Sequence, residues 1–193
     1  MKVSQTNTHP DSRVLNSAVA LTGMEGRLVK LADGGSIPEV DLPGAVTDLA
    51  LLIVTEGGGL DEPSEVLPLL GESNRRVRLN GTVAAGVPVV LCDPTASSGA
   101  NAGKVEALPS VAGVYFSPGV AEEDGADEQL LLIRPFPRMV TVAAAFTGAT
   151  PAATAATNST PYGFSQAQAD ALIANVREMR AQLIAAGIMA PNA

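Results

Sequence analysis

The chain has 193 residues, 46% of them apolar, so it can bury a core, but only 3% are aromatic and none is tryptophan. Its net charge of −8 and pI near 4.6 exclude the clustered cationic surface that nucleic acid or an anionic membrane requires. A single cysteine, Cys92, excludes an intrachain disulfide, and a single histidine, His9, excludes metal sites built on histidine and cysteine.

The charge is uneven. Residues 1–22 carry two cations against one anion, residues 23–142 eight against seventeen, and residues 143–193 two against two. An acidic body between near-neutral ends fits a solvated surface protein that grips neighbours through its ends; simple solubility is the plainer reading. Residues 1–22 are polar, contain Pro10 and hold one short apolar patch, "VLNSAVAL". They read as an extended arm of the kind that orders on a partner, with Val14 and Leu15 as its contact residues. The first residues lack an apolar signal core, and no apolar run approaches the ~20 residues of a membrane span.

Residues 23–142 read as short strands separated by turn signals. "GRLVKLA" alternates and stops at Asp33 to Gly35. "SIPEVDL" carries Pro38, a mark of an edge or bulge. "DLALLIVTEGGG" is a short β-rich apolar run closed by three glycines. "EVLPLLG" leads to "RRVRLNGTV", where Asn80-Gly81 favours a tight turn or bulge. "AAGVPVVLCD" and "GKVEALP" flank the small polar loop "PTASSGANAG". The stretch "AGVYFSPGVAEEDGADEQLLLIRPFPRMVTV" reads as three strands, with turns at Ser117-Pro118-Gly119 and at "EEDGAD". The pattern predicts an all-β fold, a small barrel or sandwich.

Residues 143–164 are rich in Ala and Thr, hold no Leu, Ile, Val, Met or charged residue, and read as a linker. Beyond them, Ser165 followed by Gln168 is a capping-box pattern. It predicts a helix starting near Gln166 and capped by Gly187, with Pro191 just beyond. Ala169, Leu172, Val176, Met179, Leu183 and Ala186 recur at spacings of three and four, a heptad-like seam. Such a seam fits either packing on the chain's own β domain or helix-to-helix association between subunits. The long tether favours the second.

Little in the sequence points to catalysis. His9 sits in the arm, away from any nucleophile that it could serve. Cys92 lies in an apolar run with no feature to lower its pKa. "EEDGADE", from Glu122 to Glu128, lacks the alternating ligand spacing of a calcium loop and reads as a solvated hairpin turn. "TEGGGLDEPS" has no lysine and no Ser or Thr placed as a phosphate loop requires and reads as a surface loop. Arg75, Arg76 and Arg78 form the one basic cluster of the body. Alternation puts Arg76 and Arg78 on one strand face, where they would either dock an acidic partner or make local salt bridges.

The body segments "GRLVKLADGG", "IPEVDLPGAVTDLALLIVTEGG", "RVRLNGTVAAGVPVVL" and "GVAEEDGADEQLLLIRPFP" together resemble the small β proteins that decorate tailed-bacteriophage capsids. The tail "STPYGFSQAQADALIANVREMRAQLIAAGI" resembles a short helical module of phage head-fibre and decoration proteins. The two resemblances cover about residues 23–142 and 159–188. They imply a small β-barrel or β-tulip-like domain over 23–142, an N-terminal arm over 1–22, a linker over 143–164 and a self-association helix over 165–187. They also imply a virion protein, assembled in the bacterial host cytoplasm, that binds the outside of the expanded shell as a homotrimer and stabilises it. Its partners would be the major capsid protein and itself, with no nucleic acid, no membrane, no cofactor and no catalysis. In the family an arm often adds a strand to capsid strands. The contact residues expected on this reading are Leu172, Val176, Met179, Leu183, Arg76, Arg78, Val14 and Leu15. The alternatives are a head-fibre or spike base and, in another class, a trimeric β-barrel ligand-binding module or enzyme.

Overall fold

The apolar run Leu52–Val54 is continuous because both faces of its strand are covered. In the computed structural model, which describes residues 12–32, 37–69, 73–144 and 166–185, the strands form two β systems that share one wall. The first contains β1 (Arg13–Ser17), β2 (Leu28–Leu31), β3 (Glu39–Asp41), β4 (Leu52–Glu56) and β5 (Pro63–Pro68). These strands close into a barrel in the order β1-β3-β2-β4-β5. The second contains β6 (Arg75–Arg78), β7 (Pro88–Leu91), β8 (Val105–Ala107), β9 (Gly113–Ala121) and β10 (Leu130–Val142). It is a five-stranded sheet in the order β6-β10-β9-β7-β8. The all-β expectation holds, and α1 (Gln166–Ala185) is the one α-helix among the described residues.

Side-chain alternation sorts the two cores. Val29, Val40, Leu52, Val54 and Val66 point into the barrel and pack with Leu21. Their neighbours Leu28 and Ile53 point outward and join Val77, Leu79, Val89, Leu91, Val105, Phe116, Leu131 and Ile133 of the second sheet. That sheet curls until Leu79 bridges Val105 in parallel and Asn80 N–H donates to Val105 O at 2.8 Å. Among the described residues Phe116 is the only aromatic side chain in either core, in keeping with the aromatic-poor composition.

Two sequence expectations are corrected. The arm expected over residues 1–22 is, in its second half, part of the barrel. β1 pairs antiparallel with β5, Arg13 opposite Val66, and parallel with β3, Ser17 opposite Val40. The polarity that suggested an arm is satisfied internally. Ser17 and Ser64, both buried, join their hydroxyls at 2.5 Å, and Ser64 Oγ also accepts Gly58 N–H at 2.7 Å. Residues 1–11 lie outside the described residues.

The turn expected at Ser117-Pro118-Gly119 is not a turn, so the last stretch has two strands rather than three. β9 runs straight through it. Gly119 serves close approach instead: a Cβ there would lie 2.1 Å from Arg134 O on β10. At Asn80-Gly81, the site of the expected tight turn or bulge, the chain bends, with Gly81 at φ +79°.

The described residues fall into two compact units. The second is made of Ser110–Gly113 and the chain from Thr141 onward, and includes α1. The C-terminal helix expected from the spacing is present, while residues 145–165 and Gly187 lie outside the described residues.

Candidate interaction surfaces

The charged groups that attracted attention in the sequence are largely engaged within the fold. In the acidic loop, Glu122 pairs with Arg134 at 2.5 Å. Glu123 Oε1 accepts from Arg76 at 2.9 Å and from Leu132 N–H at 3.0 Å. Asp124 accepts Ala85 N–H and Asp127 accepts Gly81 N–H, both at 2.8 Å. Glu128 pairs with the buried Lys104. The loop is therefore a lock that ties the "DGADEQ" hairpin to the "GTVAAG" turn, closed by the Val83 to Gly125 bridge. Among the described residues no cluster of His, Cys, Asp and Glu is disposed to hold a metal ion.

Arg76 and Arg78 flank the buried Val77 and share a strand face, as alternation required. Both have internal partners. Besides Glu123, Arg76 donates to Leu130 O at 2.7 Å. Arg78 donates to Glu25 O at 3.0 Å and to Glu128 O at 2.7 Å, joining the turn before β2 to the acidic hairpin. Cys92 is buried. Burial, reinforced by the nearby Glu106 carboxylate, pushes its thiol far above the ordinary range. It is a buried core residue. His9 lies outside the described residues.

β1 places its two candidate residues on opposite faces. Val14, 47% exposed, is on the outside of the barrel, whereas Leu15 packs against the barrel core. β1 is built in between β5 and β3, so pairing within the chain takes the place of the strand addition expected of this stretch. A second edge is blunted chemically. Among the described residues β6 pairs with β10 from Leu130 to Ile133. Leu132 directs its backbone groups toward β9, accepting Glu122 N–H and donating to Glu123. Residues of the opposite parity face the far edge, and there Pro135 and Pro137 offer no N–H.

On α1, the spacing of Leu172, Val176, Met179 and Leu183 puts them on one helix face. Leu172, Val176 and Met179 are each more than half exposed, and Leu183 is half-buried. Asn175, off the seam by its spacing, is buried. No helix among the described residues is long and apolar enough to cross a membrane.

No family model and no curated protein matches the chain. Among solved structures it is similar to the N base of head fibre gp8.5 in bacteriophage phi29. The identity is 13% and the TM-score 0.48, and the match covers 65% of this chain and 92% of that one.

Proposed function

We propose that this chain is a structural protein of a tailed-phage particle, a decoration protein that binds the outer capsid surface as a homotrimer and stabilises the expanded shell. The observation that carries the reading is the exposed apolar seam of α1. An apolar stripe of this kind, on a helix about 30 Å long, is a surface for another protein chain. The motif resemblances support the same reading.

The magnitudes define the role of the helix. Burying a half-exposed Leu, Val or Met side chain contributes roughly 1 kcal/mol, so four seam residues contribute about 4 kcal/mol before the cost of association. Micromolar binding needs about 8 kcal/mol. The seam is thus an accessory contact that becomes effective when the same particle holds the β domain as well.

The test is the copy number of the chain in purified particles, measured by quantitative mass spectrometry against the major shell protein. A ratio near one per shell subunit is the expected result. A few copies per particle would replace decoration by the head-fibre base that the tail module resembles, and absence from particles would overturn the virion reading.

A further inference from the structure

One mouth of the closed barrel is apolar and open. β1 enters the barrel there, because Arg13 lies opposite Val66 near the end of β5, Leu52 lies opposite Pro68, and Val29 lies opposite Leu52. Below the mouth the interior is closed by Val29, Val40, Val54 and Val66, each no more than 1% exposed. At the mouth lies a cleft of about 490 Å³ whose lining includes Arg13, Leu15, Leu31, Leu49 and Leu51. Leu31 is 57%, Leu49 61% and Leu51 43% exposed. Three leucines left in water around one concavity are a recognition feature rather than a scattered surface, and barrel mouths are common binding positions.

The charge at this mouth differs from that of the body. Lys30 is held by Asp48 at 3.0 Å. Arg13 is exposed, and its side chain makes no hydrogen bond or ion pair among the described residues. Over residues 23–142 acids outnumber bases seventeen to eight, yet the uncommitted charge at the mouth is a guanidinium, suited to a carboxylate. Size narrows the occupant further. The volume holds a few side chains, whereas a stable face between two folded proteins buries about 800 Å² on each partner.

We propose that the barrel mouth docks a short extended segment of another protein chain, with apolar side chains seated on Leu31, Leu49 and Leu51 and a carboxylate on Arg13. That the segment belongs to a capsid shell protein rests on the reading above; the chemistry of the mouth does not.

The first arm of the test is amide chemical-shift mapping of the full isotope-labelled chain. The probes are two capped peptides, acetyl-Leu-Leu-Glu-amide and acetyl-Leu-Leu-Lys-amide, each titrated to ~10 mM, about tenfold above a millimolar Kd. The expected result is shifts centred on Arg13, Leu31, Leu49 and Leu51, with several-fold tighter binding of the glutamate peptide. Arg13→Glu should reverse that preference. Leu49→Asp should abolish the shifts while the melting temperature stays unchanged, since Leu49 lies outside the core. Three results each overturn the proposal: no shift at the mouth, equal response to both peptides, or shifts there that depend on protein concentration alone, which would make the occupant a second copy.

The second arm measures sedimentation with capsids stripped of this protein. Wild type that binds while Arg13→Glu and Leu49→Asp bind equally well overturns the mouth as the shell contact. Wild type that fails to bind, with the peptide result intact, overturns the capsid reading and leaves the mouth standing.

Discussion

Leu21→Ala tests whether the segment before residue 23 belongs to the fold. Leu21 is fully buried and packs with Val29, Val40, Leu52, Val54 and Val66. Its N–H donates to Gly58 O at 2.8 Å and its carbonyl accepts Met24 N–H at 3.0 Å. The backbone around it is too close to relax inward, since a Cβ on Gly57 would already lie 1.8 Å from Leu21 O. Truncation therefore leaves a cavity, and the expected loss is about 3 kcal/mol, within the range for fully buried leucines. For a domain of this size that lowers the melting temperature by roughly 10 °C. Val14→Ala, at a half-exposed outward site, should cost about 0.5 kcal/mol. Urea titrations read both values, with an unchanged m reporting an unchanged folded state. A Leu21→Ala loss below about 1 kcal/mol would place it at the level of a surface change and return the segment to the status of an arm.

Four further outcomes are expected. Val176→Asp combined with Met179→Asp should leave the β-domain melting transition in place and weaken self-association in sedimentation velocity; unchanged association would remove the seam as an interface. Cys92 should resist iodoacetamide at pH 8 until the protein unfolds, because burial raises its pKa and hides it; prompt labelling of the native protein would contradict that placement. Gly119→Ala should fold poorly or lose several kcal/mol, because Arg134 O is backbone and has little room to retreat; near-wild-type stability in a urea titration would contradict the close approach of β9 and β10. The last outcome concerns acid stability. Asp48 is raised by burial, but hydrogen bonds from Gly44 N–H and Lys30 outweigh this and hold it below its ordinary 3.8. Glu123 is held below 4.5 by Leu132 N–H and then Arg76, and Asp93 below 3.8 by Thr95. Carboxylates depressed in the folded state contribute stability that is present above the unfolded pKa and lost as pH falls through the folded one. The melting temperature should therefore hold between neutrality and about pH 5 and fall below ~4, and Asp48→Asn with Glu123→Gln should flatten that fall.

The strands easiest to read were those whose neighbours in sequence fix their faces. The run at Leu52 to Val54 and the alternation at Leu28 to Leu31 needed only local pattern, as did the presence of the C-terminal helix. β1 was not legible, because its inward Ser17 finds its partner, Ser64, 47 residues away. A polar residue that satisfies another polar residue inside a barrel looks, in sequence, like solvent-facing chain. The strand through Ser117-Pro118-Gly119 was missed for a related reason. Glycine and proline signal turns statistically, yet here Gly119 is required by the approach of Arg134 O on another strand. The acidic loop showed its charge but not its partners, which lie on β6, on β10, at Lys104 and in the "GTVAAG" turn. The cleft could not have been read at all, since Arg13, Leu31, Leu49 and Leu51 come together only when the barrel closes.

Barrel closure also determines how such a protein can recognise a partner. The closed barrel offers no strand edges, and Pro135 and Pro137 offer no N–H donors on the side of β10 that faces β6. Recruitment by strand addition, which needs a free row of N–H and C=O groups, is thereby disfavoured at both places. What remains are side-chain surfaces, the mouth around Arg13 and the seam around Val176. Each is small, and each alone supports only weak binding. If both engage the same particle, their contributions combine through effective concentration. Loss of either should then weaken retention far more on the particle than in solution. Leu49→Asp together with Val176→Asp and Met179→Asp should show free-energy losses that add within ~0.5 kcal/mol, as separate sites do. A combined loss no larger than that of the stronger single change would mean that only one of the two surfaces touches the particle.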